Sequence, residues 1–537
     1  MTKLFAELSQ AELDGLIERV KQAAEYGLAL SAEDLQLLLN ALVMLAQLQA
    51  EMAEQDITLH KLRKLAGIVK SSEKLRDIVP GETPKKPAPR PKPKPAAKPP
   101  TEAVVHERCQ HCLTGLEKGQ RCPECGRGTL YKYTPAVVLR ISGQTPLKST
   151  QHILERLRCN TCGAYFTAEL PETVREDGPA EQTYGYSARA LMAIQKYFAG
   201  APFYRQQTLQ QLLGMPVSAS TVFDQCEQLA NAIRPLFACL MALAGEALLY
   251  YIDDTTNRIL GQNAVTKPDR RTGKPRERSG VYTSGMIAVL ATGQRCILYQ
   301  TNVGHAGEWL DEILRGRPPT APPPIVMSDA LGHNRPSVVR VYHQALCNAH
   351  ARRAFVDIAH LFPEQITAVL ERYALIWEHE HHCQDHGLSA TQRWAYHREH
   401  SLPVMAQLRD EFQRQLDSDA VEANSGLGQA MGYFLRHFEG LTAFCRIEGA
   451  PIDNNFMEQA LKLIIRGRKN ALFFKTPAGA AIADVITSVV ATAYQAGVNA
   501  FDYLIVLQRH AEAVKAQPER WLPWNYQTTL ETEKKAA

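Results

Sequence analysis

A proline-rich segment at residues 81–100 is the feature that most constrains how this chain can fold. It reads GETPKKPAPRPKPKPAAKPP and holds eight prolines. Proline fixes φ and has no backbone N–H, so a run of this density behaves as an extended, semi-rigid spacer. The chain is therefore predicted to fold as separate units on either side of it. Its six Lys and Arg against one Glu leave two interpretations open, a non-specific contact with DNA or a solvated spacer without a partner.

Residues 1–80, before this linker, are predicted to be helical, with an apolar stripe that starts at Leu38. Steps of three and four residues alternate along the stripe, as in a heptad seam, and Gln55 is its polar member. About four heptads of this kind predict a coiled coil and therefore self-association, although a helix packed on its own domain would show a similar stripe. The seam consists of Leu38, Ala41, Leu45, Leu48, Met52, Gln55, Leu59, Leu62 and Ala66.

Cys-x-x-Cys pairs after the linker predict bound zinc. Cys122 and Cys125 read CPECG, and Cys159 and Cys162 read CNTCG. In both, a glycine after the second Cys lets the backbone fold tightly around zinc-bound thiolates. Residues 131–141 between the pairs are rich in β-branched and aromatic residues, as short strands would be. Two such knuckles on strands make a zinc ribbon with four thiolate ligands.

A further pair, Cys109 and Cys112, leaves the ligand assignment open. It could join the CPECG pair in a more compact site, and His106 and His111 leave room for a second ion. The chain holds 12 Cys in 537 residues, and half of them lie in these three pairs. That usage favours metal ligation in a reducing compartment over disulfides.

The overall charge says little about partners. The formal net charge is +4, but residues 81–100 contribute +5, so the remaining residues sum to −1. Any basic surface must therefore come from local clusters. No uninterrupted apolar run reaches about 18 residues, and the first residues read as a helix and not as a charged-then-apolar leader. We expect a cytoplasmic protein without a membrane segment.

Residues 187–243 are again predicted to be helical, with a possible helix-turn-helix. Its helices would span 203–213 and 219–230, with a tight turn at 214–218 between them. The second helix offers few cations for reading bases. A plain helical hairpin is therefore slightly favoured over a DNA-reading motif.

The next region changes to the period of strands and carries the acids that matter for chemistry. An apolar run at 247–252 stops at Asp253 and Asp254, and another at 325–327 stops just before Asp329. Acids at strand ends point into a cleft, although each alone could be an ordinary cap or turn residue. Further strands are predicted at 281–290, 295–301 and 342–346, with helices near 308–314 and after Cys347.

The segment 451–474, PIDNNFMEQALKLIIRGRKNALFF, places Glu458 on a helix whose following turns are basic. Lys462, Arg466 and Lys469 follow at spacings of four, four and three, so at about 100° per residue all four side chains share one quadrant. A solvated helix with i,i+4 pairs would look similar. Joined to the two strand-end acids, however, Glu458 completes the carboxylate cluster of a two-metal nuclease.

Together these segments resemble a DDE transposase of the bacterial insertion-sequence-sixty-six class. The matching motifs are IDDTTNRIL, VMSDALGHN, ALCNAHARRAF, the Glu458 segment, GVNAFDYLIVL and RWLPWN. The resemblance implies an α/β, RNase-H-like catalytic core with a large α-helical insertion, preceded by a coiled-coil helix, a proline-rich linker and a zinc ribbon. It covers most of the chain after the linker.

The resemblance also implies the site and its partners. Asp253, Asp329 and Glu458 would be the catalytic triad and hold two Mg²⁺ ions, while Zn²⁺ would be structural. The partners implied are DNA (the element's terminal inverted repeats and the target), a second copy of the chain and accessory proteins of the same element, in the bacterial cytoplasm at the nucleoid. The DNA contacts implied are Lys462, Arg466, Lys469, Asn470, His350, Arg352 and Arg353.

The predicted division of the chain follows from these motifs. It consists of a coiled-coil segment (1–80), a Pro/Lys-rich linker (81–104), a zinc ribbon (105–170), a helical, DNA-binding domain (171–245), the first part of the core (246–350), a helical insertion (351–450) and the Glu458 helix with a helical C-terminal region (451–537).

Two weaker signals and two other functions remain open. His379, His382 and His386 share a helix face with metal-ligand spacing, although a His-rich polar helix needs no ion. The loop 267–278 holds six cations that could grip DNA or only be solvated. The chain could also be a DNA-binding regulator that keeps the transposase fold without its catalysis, or a zinc-ribbon partner of another nucleic-acid machine. The second of these leaves Glu458 unexplained.

Overall fold

The structure is a computed structural model. It describes residues 19–23, 30–37, 118–121, 123, 127, 129–130, 145–158, 165–268, 274–337 and 341–536. The chain forms two compact units, one of Met1–Gly81 with Phe355–Glu371 and one of Glu82–Ala354 with Arg372–Ala537. The predicted coiled-coil seam, the proline-rich linker and the six cysteines of the Cys-x-x-Cys pairs lie outside the described residues.

In the first unit, the described residues include helical segments at 19–23 and 32–37. The backbone N–H of Asp34 donates to Ser31 Oγ at 3.1 Å, which caps the start of the second segment. Arg19 Nη2 donates to Asp34 Oδ1 at 2.9 Å. Because this ion pair lies at the surface, it contributes little to stability. The helical prediction is confirmed for these two segments.

The second unit is built on a mixed sheet of five strands. Its order is β7–β6–β3–β8–β9 in the chain-order numbering below; β7, β6 and β3 are antiparallel neighbours, and β3, β8 and β9 run parallel. The remaining strands form two separate ribbons, β1 with β2 and β4 with β5. The strands are β1 (Arg156–Arg158), β2 (Tyr165–Thr167), β3 (Leu249–Asn257), β4 (Val265–Pro268), β5 (Pro275–Arg278), β6 (Val281–Val289), β7 (Arg295–Asn302), β8 (Ile325–Ser328) and β9 (His343–Leu346).

Helices of the second unit pack on both faces of this sheet. Helices also fill most of residues 351–450, as predicted for that segment. A π-helical turn, Ile194–Phe198, and 3₁₀ turns at Gly332–Asn334 and Pro518–Trp521 complete the elements. The α-helices from residue 172 onward are Glu172–Arg175, Tyr186–Ala193, Phe203–Leu212, Ala219–Ala244, Ala306–Leu314, Asn348–Val356, Pro363–Asp385, Ala390–Asp417, Gly426–Leu441, Ala443–Arg446, Asn455–Ala471, Pro477–Gln495, Ala500–Arg509, Ala511–Ala516 and Tyr526–Ala536.

Both faces of the sheet are covered, which explains why β6 is buried along almost its whole length. On one face, Tyr250 and Ile252 lie in a buried cluster with apolar residues of the helix Ala219–Ala244. On the other face, Ile287 lies in a second cluster with Met457. A strand with apolar neighbours on both faces loses the alternation of polar and apolar residues. This accounts for the apolar run Met286–Val289 in β6.

One helix covers the free edge of β7. Three polar side chains, four residues apart on Pro477–Gln495, accept hydrogen bonds from alternate backbone N–H groups of the strand. Four helical residues rise about 6 Å and two strand residues about 6.6 Å, so the two spacings match. The covered edge cannot pair with another chain. The pairs are Thr301 N to Asp484 Oδ2 at 2.8 Å, Tyr299 N to Ser488 Oγ at 2.9 Å, and Ile297 N to Thr492 Oγ1 at 3.0 Å.

Asp484 in this edge contact is expected to make stability depend on pH. Burial raises the pKa of its carboxyl to about 7 from an ordinary 3.8, against the opposing effect of hydrogen bonds from Thr301. Between about pH 4 and 7 the folded chain therefore holds a proton that the unfolded chain has released, so stability falls as pH rises through this range. In Asp484→Asn the amide keeps both contacts with Thr301 and carries no charge. Between pH 5 and pH 8, Asp484→Asn should therefore lose roughly 2–3 kcal/mol less unfolding free energy than the native chain loses.

Urea unfolding at the two pH values measures this difference. Asp224→Asn, on the exposed face of the helix Ala219–Ala244, is the matched control for the substitution. If Asp484→Asn and the native chain lose the same unfolding free energy between pH 5 and pH 8, the buried carboxyl is not the source of the effect.

The helix Pro477–Gln495 is also the one described helix that is long and apolar enough to span a membrane. Its 18-residue apolar window is 72% buried inside the protein. Core helices of globular proteins have the same length and composition. The absence of a membrane segment therefore stays a prediction from the sequence.

Three boundaries differ from the sequence predictions. The first strand does not end at Ile252: β3 continues to Asn257 because its antiparallel partner β6 pairs with it along all nine residues. The region predicted as a polar loop contains the ribbon β4–β5. The second helix of the predicted helix-turn-helix is much longer, since Ala219–Ala244 continues across Pro235 to the start of the sheet.

Candidate active site

The parallel register of β3 and β8 brings two of the predicted acids side by side. Tyr251 pairs with Met327, and the same offset places Asp253 opposite Asp329, the residue that follows β8 directly. Neighbouring strands lie about 4.8 Å apart, and residues in register point to the same face of a sheet. Two carboxyl groups that are 76 residues apart in the sequence thus meet at one point of the sheet.

Glu458 reaches the same face through the start of its own helix, Asn455–Ala471, called here the Glu458 helix. The fully buried Asn454 donates from Nδ2 to the backbone oxygen of Ile252 at 3.0 Å. One residue into the helix, the ring of Phe456 packs edge-on against Tyr251 at a centroid distance of 5.9 Å. Tyr251 and Asp253 share a strand face because side chains alternate. The first turn of the Glu458 helix is therefore fixed beside Asp253.

The pKa of Asp253 reflects its surroundings. Burial, together with the neighbouring carboxyl groups of Asp329, Asp254 and Glu458, raises the pKa of Asp253 to about 7. A hydrogen bond at 2.8 Å from the backbone N–H of Asp254 acts in the opposite direction. Carboxylates that repel one another in a partly buried cleft are stabilised by a bound cation. A hard divalent ion would offset this repulsion, but the donor atoms of Asp253, Asp329 and Glu458 do not all lie within 4.8 Å of one another in this structure.

Asp329 is oriented by its own loop. Its Oδ1 accepts hydrogen bonds from Asn334 Nδ2 at 2.7 Å and from the backbone N–H of Leu331 at 3.1 Å. Asn334 is almost fully buried, so its amide is held in one position. Such partners fix the direction in which a carboxylate presents its second oxygen to a metal ion.

Asp254 belongs to a different cluster on the opposite face of β3. Its Oδ2 lies 2.8 Å from His305 Nδ1. The ring of His305 packs between Tyr282 and His333, with centroid distances of 4.1 Å and 4.4 Å. Neighbouring acids in the sequence therefore take separate roles, because successive strand residues point to opposite faces.

The predicted cations around Glu458 are only partly brought together. His350 Nδ1 lies 3.6 Å from Glu458 Oε1, and Arg353 Nη2 lies 3.9 Å from Oε2. Lys462 and Lys469 are exposed on the Glu458 helix. The predicted contact residue Arg352 is half-buried and has interactions of its own within the protein.

Two of the predicted DNA contacts bind the protein itself. Arg466 donates to the backbone oxygen of Phe198, and Asn470 Nδ2 donates to the backbone oxygen of Gly200 at 2.9 Å. Arg468, which the sequence did not single out, donates to the hydroxyl oxygens of Thr255 and Thr256 at 3.2 and 2.8 Å. These contacts anchor the last turns of the Glu458 helix.

Some residues of two further sequence signals make local contacts within the protein. In the cation-rich loop, Lys267 lies 3.5 Å from Glu308, and Arg278 also pairs with Glu308. In the His-rich helix, His379 Nδ1 contacts Ser401 Oγ at 3.0 Å. His382 and His386 pack ring to ring, with a centroid distance of 4.1 Å.

Within the described residues, the one group of three metal-ligating side chains close enough to share an ion is Cys347, His350 and Glu458.

Comparison with known proteins adds an independent finding. A family model described as "Transposase IS66 family" matches residues 181–482, which is more than half of the chain. Asp253, Asp329 and Glu458 all lie within the matched range.

Three similar proteins come from Sinorhizobium fredii (strain NBRC 101917 / NGR234). "Uncharacterized protein y4hP" is 25% identical over 433 residues, which cover 76% of this chain and 74% of that protein. "Uncharacterized protein y4jD" is 32% identical over 188 residues, 34% of this chain and 36% of that protein. "Uncharacterized protein y4qI" is 25% identical over 376 residues, 67% of this chain and 65% of that protein.

Proposed function

Because this chain belongs to the IS66 family of transposases, we propose that it cuts the ends of an insertion sequence and joins them to target DNA at a DDE site with two metal ions. The observation that carries the proposal is the meeting of acids from three separate elements, β3, the loop after β8 and the Glu458 helix. Burial and the neighbouring carboxyl groups raise the pKa of Asp253 to about 7. A cation bound among these acids would offset their repulsion.

The sheet supports an RNase-H-like core for this site. Three antiparallel strands are followed by two parallel strands in the order β7–β6–β3–β8–β9. The long central strand β3 and its parallel neighbour β8 carry the first two acids. A helical region of about one hundred residues then precedes the Glu458 helix, as the proposed domain division requires.

Asp253, Asp329 and Glu458 would hold the two Mg²⁺ ions. Bound there, the ions supply Lewis acidity that activates a water or a 3′-hydroxyl oxygen and stabilises the departing oxygen of the phosphodiester. The protein's own residues do the rest. Asn334 holds the Asp329 carboxylate, and Asn454 fixes the first turn of the Glu458 helix against β3.

The exposed cations Lys462, Lys469 and Arg353 are proposed to neutralise DNA phosphates beside this cleft. Arg353 already lies near Glu458, so it is placed to meet a phosphate held at the acids. Arg466 and Asn470 are proposed to act through the position of the helix, since both side chains bind backbone oxygens of the protein.

The zinc ribbon is proposed to precede the core. Short antiparallel pairings bracket both complete knuckles: Arg121 with Thr129 around the CPECG pair, and β1 with β2 around the CNTCG pair. This is the hairpin arrangement that two-thiolate knuckles need. The coiled coil, self-association and accessory proteins of the element are proposed from the sequence and the family.

Asn334→Ala is expected to raise the Mg²⁺ concentration that cleavage requires, without removing activity at saturating Mg²⁺. The substitution deletes the donor to Asp329 Oδ1, and loss of such a partner typically lowers metal affinity about 10- to 100-fold. The Mg²⁺ concentration for half-maximal cleavage should rise accordingly, while the rate at saturating Mg²⁺ changes little. Asn263→Ala, at an exposed position, is the control. An unchanged Mg²⁺ requirement would show that Asn334 does not support a metal ligand.

The test of the proposed function is cleavage and strand joining on a supercoiled plasmid that carries the element's ends, with Mg²⁺ and with the element's other proteins added or omitted. We expect nicked ends and joined products that disappear when EDTA removes the metal. DNA binding without cleavage under every condition would instead identify a regulator that has kept the transposase fold.

A further inference from the structure

A second set of metal-ligating atoms includes Glu458, which also belongs to the acid cluster of Asp253, Asp329 and Glu458. The donor atoms of Cys347, His350 and Glu458 all lie within 4.8 Å of one another. Their chemistry differs from that of the acids: a thiol, an imidazole and a single carboxylate. Such donors suit zinc-like ions and are poor ligands for Mg²⁺, which prefers oxygen.

The fold builds this set from the next strand of the sheet. Ser328 of β8 pairs with Leu346 of β9, so Cys347 follows β9 at the level where Asp329 follows β8. The thiol is almost fully buried, and the backbone N–H of Asn454 donates to its sulfur at 3.2 Å. The helix Asn348–Val356 starts immediately after it and places His350 one turn onward. Asn454 thus contacts both residues, because its backbone oxygen also accepts a hydrogen bond from the backbone N–H of Glu458 at 3.1 Å.

Two of the donor atoms are otherwise unused. Glu458 Oε1 and His350 Nδ1 are buried, and neither has a hydrogen-bond partner among the described residues. Their separation of 3.6 Å is too long for a hydrogen bond. It is close to the spacing of about 3.5 Å between two ligands of one tetrahedral zinc ion. The positions of Glu458 Oε1 and His350 Nδ1 therefore suit two ligands of one bound ion better than a direct hydrogen bond between the two atoms.

We propose that Cys347, His350 and Glu458 bind a zinc-like divalent ion such as Zn²⁺, Co²⁺ or Cd²⁺, with the fourth position open to water. Binding releases the thiol proton to solvent and forms a metal–thiolate bond. Because Glu458 then faces Cys347, it no longer serves the acid cluster. The consequence, which rests on the proposed function, is inhibition of Mg²⁺-dependent cleavage by zinc-like ions through competition for one carboxylate.

The site itself is tested without DNA by titrating Co²⁺ into the full-length protein and recording thiolate-to-cobalt charge-transfer absorption. A brief EDTA treatment first strips metal from a site with three protein ligands while the four-thiolate zinc is retained. We expect one band that saturates with a single ion. Cys347→Ser should abolish the band and weaken Co²⁺ binding by about 100-fold or more. His350→Asn should keep the band and weaken binding, which separates ligand loss from a failure to fold.

The matched control is Cys383→Ser. Cys383 is also a buried free thiol, and its sulfur lies 4.0 Å from His397 Nε2. The nearby Glu380, however, is already paired with Arg393 and His397. This variant should therefore leave the band unchanged. Absence of a saturable band in the native chain, or a band that survives in Cys347→Ser, would overturn the site.

The competition is tested in the cleavage assay by titrating Cd²⁺ at fixed Mg²⁺, each variant being compared with its own activity without Cd²⁺. Cys347→Ser should require at least about tenfold more Cd²⁺ for half-inhibition, since it loses one of three protein ligands. Equal Cd²⁺ sensitivity in both proteins would overturn the competition. A native Co²⁺ band in a protein that never cleaves DNA would leave the metal site standing and contradict the proposed function instead.

Discussion

Glu458→Gln is expected to abolish Mg²⁺-dependent cleavage and strand joining, with a loss of about 10³-fold or more. The substitution keeps the shape of the side chain and its place in the first turn of the helix. It removes the charge that, together with Asp253 and Asp329, would balance the two metal ions. Rates of plasmid nicking and joining, measured with native and variant protein at the same DNA occupancy, give the result.

The control for this prediction is Glu227→Gln, which makes the same chemical change on the exposed face of the helix Ala219–Ala244. Its activity should match that of the native chain. Asp253→Asn and Asp329→Asn should reproduce the loss, because each removes one of the three acids. If Glu458→Gln cuts and joins DNA at the native rate, Glu458 does not belong to the reaction centre and the proposed triad fails.

Gly307→Ala is expected to reduce both stability and activity, although Gly307 touches none of the acids. A Cβ at this position would lie 2.5 Å from the backbone oxygen of His333 and 2.6 Å from that of Arg335. Backbone atoms cannot rotate away, so the loop that carries Asn334 must move, and Asp329 loses its orientation. Overpacking of this kind costs about 1–3 kcal/mol of unfolding free energy. A displacement of about 1 Å at a reaction centre lowers the rate about 100-fold.

Gly332→Ala is the matched control, because it lies in the same loop and its Cβ would meet no atom within 4 Å. Thermal unfolding and the cleavage assay distinguish the two glycines. Gly332→Ala should keep native values in both. A Gly307→Ala protein with native stability and native cleavage would mean that the helix Ala306–Leu314 does not set the position of the Asp329 loop.

The candidate site was largely predictable as a set of residues. An acid after a short apolar run, twice, and an acid on a basic helix are local patterns, and they named Asp253, Asp329 and Glu458. The family was predictable for the same reason, and the family match confirms it. Most strands and helices were also placed correctly, because periods of two and of 3.6 residues are properties of contiguous sequence.

The supporting contacts were not predictable. Nothing in VMSDALGHN indicates that Asn334 turns back to Asp329, since an Asn five residues after an acid is common in loops. The resemblance implied Arg466 and Asn470 as DNA contacts. Only the packing of the Glu458 helix beside residues 198–200 directs them to backbone oxygens.

The sequence by itself determined which residues are acidic, where most strands and helices lie, and which family the chain belongs to. The tertiary structure alone decided that Asp253 and Asp254 point to opposite faces of a strand longer than its apolar run, and that Asp484 is buried against β7. It also decided that Cys347 and His350 lie beside Glu458. The physical reason is the distance along the chain over which each property is set. Periodicity depends on near neighbours in the sequence. Strand register, burial and pKa depend on residues that are 76 to 202 positions apart and that only packing brings together.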